Sequence, residues 1–227
     1  MNDFVTDDEQ VERIKNWWSD NGSSVIAGLV IGIGGLMGWR YWVDYQTNVA
    51  AEASSHFANM VSSVENNKND AAIDEAFKIL DNYSSTAYAD LARLSLAKVY
   101  VETKEFDKAE QQLQALVDAK PDMPLEMLTR KRLSAVLFQQ GKLDQSLTVL
   151  DVDFPKEFAA SFEELKGDIL VAKGDVSSAR DAYQRAKLAQ PSSANPQFLQ
   201  QKMDDLGLSG NRHLAAVHDA LINRFQN

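Results

Sequence analysis

The chain has 227 residues, 33 acidic against 23 basic, giving a formal charge of −10, and it contains no cysteine. Its basic residues are scattered singly or in short runs such as Arg130, Lys131 and Arg132, which argues against a nucleic-acid surface. The missing cysteine excludes disulfides, thiolate catalysis and zinc–thiolate sites, and it fits an oxidising compartment without requiring one.

Residues 1–20 read as an arm carrying an amphipathic helix. Thr6 and Glu9 have capping-box spacing, and Val11, Ile14, Trp17 and Trp18 recur at helical intervals over residues 7–20, as in a helix lying at a membrane surface. Asn21 and Gly22 are expected to end it.

Residues 21–43 read as a transmembrane helix. Nineteen residues from Asn21 to Trp39 carry no charge, and at about 1.5 Å per residue they cover roughly 28 Å, the hydrocarbon thickness of a bilayer. Trp17 and Trp18 before the run, and Trp39, Arg40, Tyr41 and Trp42 after it, stand where headgroups would lie, as interface anchors. Neither a core helix nor a cleaved signal explains those belts, and no small-x-small site follows the run. Arg13 and Lys15 precede the span, and Arg40 alone lies within twenty residues after it, which favours a cytoplasmic N-terminus.

Gly28 and Gly32, then Gly34 and Gly38, are four apart within the apolar helix, a spacing that lets a second helix approach closely in lipid. A dinucleotide loop built on Gly32, Gly34 and Gly35 fails, because Met37 takes the last glycine position and no βαβ unit surrounds it.

Residues 44–86 read as a helical connector and a degenerate first repeat. No Gly or Pro lies between Trp39 and Asn67, and Ala50, Ala53, Phe57, Met60, Val61 and Val64 keep three-to-four spacing, so the span can run on as one long helix that holds the soluble part near the bilayer. Beyond residue 70 the pattern is helical throughout, with a period near 34. Phe106, Leu143 and Val176 come into register, followed at three residues by Ala109, Ser146 and Ala179 and at seven by Leu113, Leu150 and Tyr183. Ile73, Ala76 and Leu80 form a weaker first copy, so the leading positions are 33, 37 and 33 apart, as in a helix-turn-helix solenoid.

Residues 87–210 resemble tetratricopeptide repeats. Residues 160–193 fit best, through Gly167, Leu170, Gly174, Ala179, Tyr183, Ala186 and Pro191; residues 90–123 match through Leu96, Ala97, Tyr100, Phe106, Ala109, Leu116 and Pro121. Residues 127–159 depart, with Ser134 and Ser146 at the small positions and Pro155 displaced. Close helix crossings demand such small residues. Residues 211–227 suggest one extra amphipathic helix, through Leu214, Val217, Leu221 and Phe225. The expected fold is all-α: a single N-terminal transmembrane helix followed by a tetratricopeptide-like α-solenoid.

An enzyme is disfavoured by inventory. His56 stands alone, His213 and His218 are five apart, and the carboxylates have the spacing of a solvated helix face, so the histidines read as solvated and no metal or cofactor is expected. In a stacked array the first helix of each pair lines the concave face. That places Leu91, Leu94, Lys98, Val101, Leu128, Lys131, Phe138, Glu164, Asp168 and Val171 there, a mixture suited to a protein or peptide. Repeats that grip C-terminal carboxylates use paired Lys and Asn; Lys98, Ala135 and Asp168 stand there instead.

The order of parts resembles the YfgM family of ancillary SecYEG translocon subunits of Gram-negative inner membranes. Gln10, Val11, Glu12, Lys15, the paired tryptophans, Asn21 and Gly22, and above all the Gly38-Trp39-Arg40-Tyr41-Trp42 junction carry the resemblance, which runs from residue 5 to about 208. It implies a single-pass protein with a cytoplasmic N-terminus and a periplasmic repeat domain. It also implies association with SecYEG and the membrane-anchored chaperone PpiD, and help in passing nascent polypeptides to periplasmic chaperones. A second implied role, from a different class, is restraint of the stress regulator RcsB by the cytoplasmic arm.

Overall fold

The computed structural model describes residues 7–191 and 197–208. Thr6, His213, His218 and the helix expected over residues 211–227 lie outside them. Among the described residues every regular element is an α-helix. The chain divides into two units between Glu52 and Ala53.

The first unit is built on helix α1, Asp7–Glu65, which continues past the boundary. It is the one helix among the described residues long and apolar enough to cross a membrane. Its apolar stretch is bare: Leu29, Val30, Ile31, Leu36 and Met37 are all exposed, and only 6% of the most apolar window is buried. Covering such side chains contributes roughly 1.5–3 kcal/mol each, which a core helix would have gained.

The stop expected at Asn21 and Gly22 is absent, because α1 runs straight through both. Asn21 Nδ2 donates to the Trp17 carbonyl at 3.0 Å, so the amide that could have capped a helix end is satisfied inside the helix. Gly22 is covered by the Trp18 indole, 3.2 Å from where a Cβ would stand. A cap residue ends a helix only where the chain beyond it gains nothing from continuing, and here the helix goes on to Glu65.

The second unit is a stack of helix pairs. The end of α1 packs with α2 (Asn69–Asn82) through Met60, Ala72, Ala76 and Ile79. Then follow α3 (Ala87–Glu102) with α4 (Phe106–Asp118), α5 (Met123–Gln139) with α6 (Leu143–Leu150), and α7 (Lys156–Lys173) with α8 (Val176–Ala189). Helix α9 (Gln197–Leu208) closes the described part, packing Leu199 with Tyr183 and Ala186.

The same turn joins the two helices of each pair. Asn67, Lys104, Gly141 and Gly174 all have positive φ, between 55 and 83°. The amides of the residues that follow reach back to Ser63, Tyr100, Leu137 and Leu170, at 2.8, 2.7, 2.9 and 3.0 Å. These are Schellman closures, in which a left-handed residue satisfies the last carbonyls of the first helix.

The turns correct the first repeat. The buried small residue five positions after the left-handed one is Ala72, Ala109, Ser146 and Ala179, so the intervals are 37, 37 and 33. Ile73, Ala76 and Leu80 were one helical turn out of register; the equivalent residues are Asn69, Ala72 and Ala76.

Candidate functional site

The first helices of three successive pairs, α3, α5 and α7, wall a cavity of about 240 Å³. Helix α3 contributes Leu94, Ala97, Lys98 and Val101, α5 contributes Leu128, Lys131, Arg132, Ala135 and Val136, and α7 contributes Ser161, Leu165 and Asp168; Leu113 of α4 completes it. Residues three and four apart share a helix face, so each helix supplies one continuous strip. The repeat makes the strips equivalent, with Lys98, Ala135 and Asp168 at one register position.

Six of the ten expected groove residues stand in this wall: Leu94, Lys98, Val101, Leu128, Lys131 and Asp168. Four do not. Leu91 is exposed one turn before Leu94. Phe138 packs into the core between α5 and α7, and Val171 packs against Tyr183 and Leu199. Glu164 accepts a hydrogen bond from Lys202 at 3.0 Å. Equivalent positions diverge because each repeat is rotated slightly relative to the last, so one register does not face one way throughout a stack.

Asp168 is a correction as well. It is 2% exposed, not a solvated groove charge. Lys202 of α9 donates to both of its carboxylate oxygens at 2.6 and 2.8 Å, and the Tyr183 hydroxyl donates to Oδ1 at 2.8 Å. Burial pushes the Asp168 carboxyl up from its ordinary range, opposed by Lys202 and the tyrosine hydroxyl. Tyr183 is itself held far above its usual value by burial first and by the Asp168 charge second.

The cavity wall therefore holds an apolar floor, three cations and one carboxylate already occupied. The sequence reading missed Arg132, although it stood in the Arg130–Arg132 run. Successive helical residues point about 100° apart, and only Arg130 turns away, to Glu126 Oε1 at 2.7 Å. Ser161, the hydroxyl in the wall, donates to the Phe158 carbonyl at 3.1 Å. Among the described residues no three His, Cys, Asp or Glu side chains converge as metal ligands. His56 is half-buried rather than solvated, with Nδ1 2.7 Å from Glu75 Oε2.

On α1 the expected anchors are all exposed, with Trp17 and Trp18 6.4 Å apart and Trp42 6.5 Å from Tyr45 between ring centres. Nothing lies within 4 Å of a Cβ built on Gly28, Gly32, Gly34 or Gly38. At about 100° per residue the two glycine pairs point roughly 120° apart, so they form two separate strips on the helix.

A family model for a tetratricopeptide repeat-like domain matches residues 15–208. A protein of Haemophilus influenzae named ancillary SecYEG translocon subunit is 33% identical over 202 residues, 89% of this chain and 98% of that one. The protein of that name from Escherichia coli K12 is 32% identical, covering 92% of this chain and all of its own. This chain belongs to the ancillary SecYEG translocon subunit family. A third member, from Aggregatibacter actinomycetemcomitans, is 32% identical over 203 residues. The family is a non-catalytic one of adaptor type.

Proposed function

We propose that this chain is a non-enzymatic adaptor of the bacterial inner membrane, working beside the SecYEG translocon. Residues 21–43 of α1 span the bilayer with residues 1–20 in the cytoplasm, and the repeats receive translocated polypeptides in the periplasm and pass them to chaperones such as PpiD. The observation that carries this reading is the groove across α3, α5 and α7, apolar at its floor and cationic at its wall. The exposed apolar helix supports the anchor, and the printed names of the relatives supply the translocon. The Gly28–Gly32 and Gly34–Gly38 strips are the surfaces offered to membrane partners.

Truncation after Val43 should abolish chaperone copurification, while retention in full would remove the repeats from the role. Because the native chain has no cysteine, single cysteines can be placed without background. An impermeant maleimide should label one at Glu102 from the periplasm and spare one at Glu9; the reverse pattern would invert the orientation. Deleting residues 2–16 should leave partner binding intact. Loss of stress regulation alone in that variant would instead favour restraint of a regulator such as RcsB by the arm.

A further inference from the structure

Arg132 is the charge that the groove leaves unused. It is half-buried on α5, yet among the described residues no carboxylate lies within 4.0 Å of its guanidinium and no acceptor takes its N–H groups. Burial alone pushes it below its ordinary value, with no neighbouring charge acting on it. Comparable groups are paired: Arg130 with Glu126, Glu163 with Arg185 at 2.9 Å, and Lys202 with Asp168. A guanidinium partly stripped of water without a partner costs free energy that a ligand carboxylate would recover.

The surroundings specify that ligand further. Asp168, the one carboxylate in the wall, is neutralised by Lys202. Lys98 and Lys131 add positive charge, the former 3.7 Å from Glu102 at the exposed rim. A chain of net charge −10 thus keeps an unpaired cation, Arg132, in the wall of this groove. Its volume of about 240 Å³ exceeds the ~150 Å³ that accommodates benzene in a protein core and falls below the ~300–1,000 Å³ of small-molecule sites. That is room for one or two side chains.

We propose that the groove selects polypeptide segments in which a Glu or Asp adjoins large apolar side chains, the carboxylate pairing with Arg132 while the apolar groups fill the floor between Leu94, Val101, Leu128 and Val136. This rests on the reading of the groove as a polypeptide site. Arg132 suits the task because its planar fork matches a carboxylate bidentately.

The test uses the full chain in phosphatidylcholine nanodiscs and a fluorescent peptide, acetylated and amidated at its ends, of sequence Ser-Leu-Glu-Leu-Phe-Glu-Leu-Ser, against its Gln-for-Glu counterpart. Anisotropy should give about tenfold tighter binding for the acidic peptide at low ionic strength. The preference should shrink with salt, vanish in Arg132→Gln and be only partly kept in Arg132→Lys, which retains the charge without the bidentate fork. A photocrosslinker at the exposed Leu128 should capture both peptides. Equal affinities with crosslinking from position 128 would overturn the charge selection and leave the groove standing. Absence of crosslinking from that position would overturn the groove itself. Should Arg132→Gln fail to fold, an acidic preference that salt does not weaken would still overturn the proposal.

Discussion

The α5/α6 and α7/α8 pairs solve the same crossing by different chemistry. In α5/α6 the two small positions are Ser134 and Ser146, both fully buried. Each hydroxyl reaches the other residue's carbonyl, at 2.9 and 2.6 Å, and the hydroxyls lie 2.9 Å apart. In α7/α8 the crossing is made by a gap and a ring, since Tyr183 lies over Gly167 so closely that a Cβ there would meet its ring carbon at 2.3 Å. The Tyr183 hydroxyl then joins the Asp168–Lys202 pair that ties α9 to α7.

The contrast extends along the stack. The facing positions run Met60 with Ala76, Ala97 with Leu113, Ser134 with Leu150, and Gly167 with Tyr183, all buried. As the residue on the first helix shrinks, its counterpart on the second grows. Close packing requires that the volume between two helices stay filled, but it leaves open which side fills it. What looks like repeat degeneracy is compensated substitution.

The deepest break in the comparison should come from Lys202→Met. Removing one partner of a buried ion pair costs about 3–5 kcal/mol, read as loss of stability in urea at neutral pH. Asp168 would then be raised further by burial, and a carboxyl raised above its ordinary 3.8 is stabilising below that value and loses its contribution as pH rises through the folded-state pKa. The deficit should therefore narrow as the pH is lowered toward 4, and a deficit independent of pH would mean that Asp168 does not carry it.

Next comes Gly167→Ala, expected to lose about 2–3 kcal/mol because Tyr183 must leave its place. Pairing it with Tyr183→Leu, which recreates the size relation of the α3/α4 pair, should recover part of that loss in a double-mutant cycle. Ser134→Ala should cost about 1 kcal/mol, and adding Ser146→Ala should bring stability back toward the original, since Ala–Ala removes both hydroxyls together. An additive loss in the double variant would show that the hydroxyls act independently. The smallest effect has the opposite sign: Lys104→Gly, at φ 63°, should stabilise by about 0.5–1 kcal/mol, bringing the α3/α4 turn into line with the glycine turns at 141 and 174.

Much of this was legible because it is local. Phe106, Leu143 and Val176 mark the first residues of α4, α6 and α8 as their periodicity suggested. The first repeat slipped for an equally local reason. Ala72 and Ala76 are one helical turn apart and both fully buried, so the small-residue pattern fits either register. Only the left-handed turn at Asn67 chooses between them, and an asparagine is a weak signal for such a turn beside a glycine. Asn21 and Gly22 misled because the same residue types serve as stops elsewhere, and the Trp18 ring over Gly22 is a consequence of the helix continuing.

The amino-acid order by itself determined the apolar run, the helical period and the alternation of long helices with tight turns, because each depends on residues within a few positions of one another. The tertiary structure alone decided that Asp168 is buried against Lys202, 34 residues away, and that Arg132 stands unpaired in the wall of the groove. Such pairings depend on where separate helices meet, and the energy of a charge depends on the distance and dielectric between it and its neighbours, neither of which is written in sequence spacing.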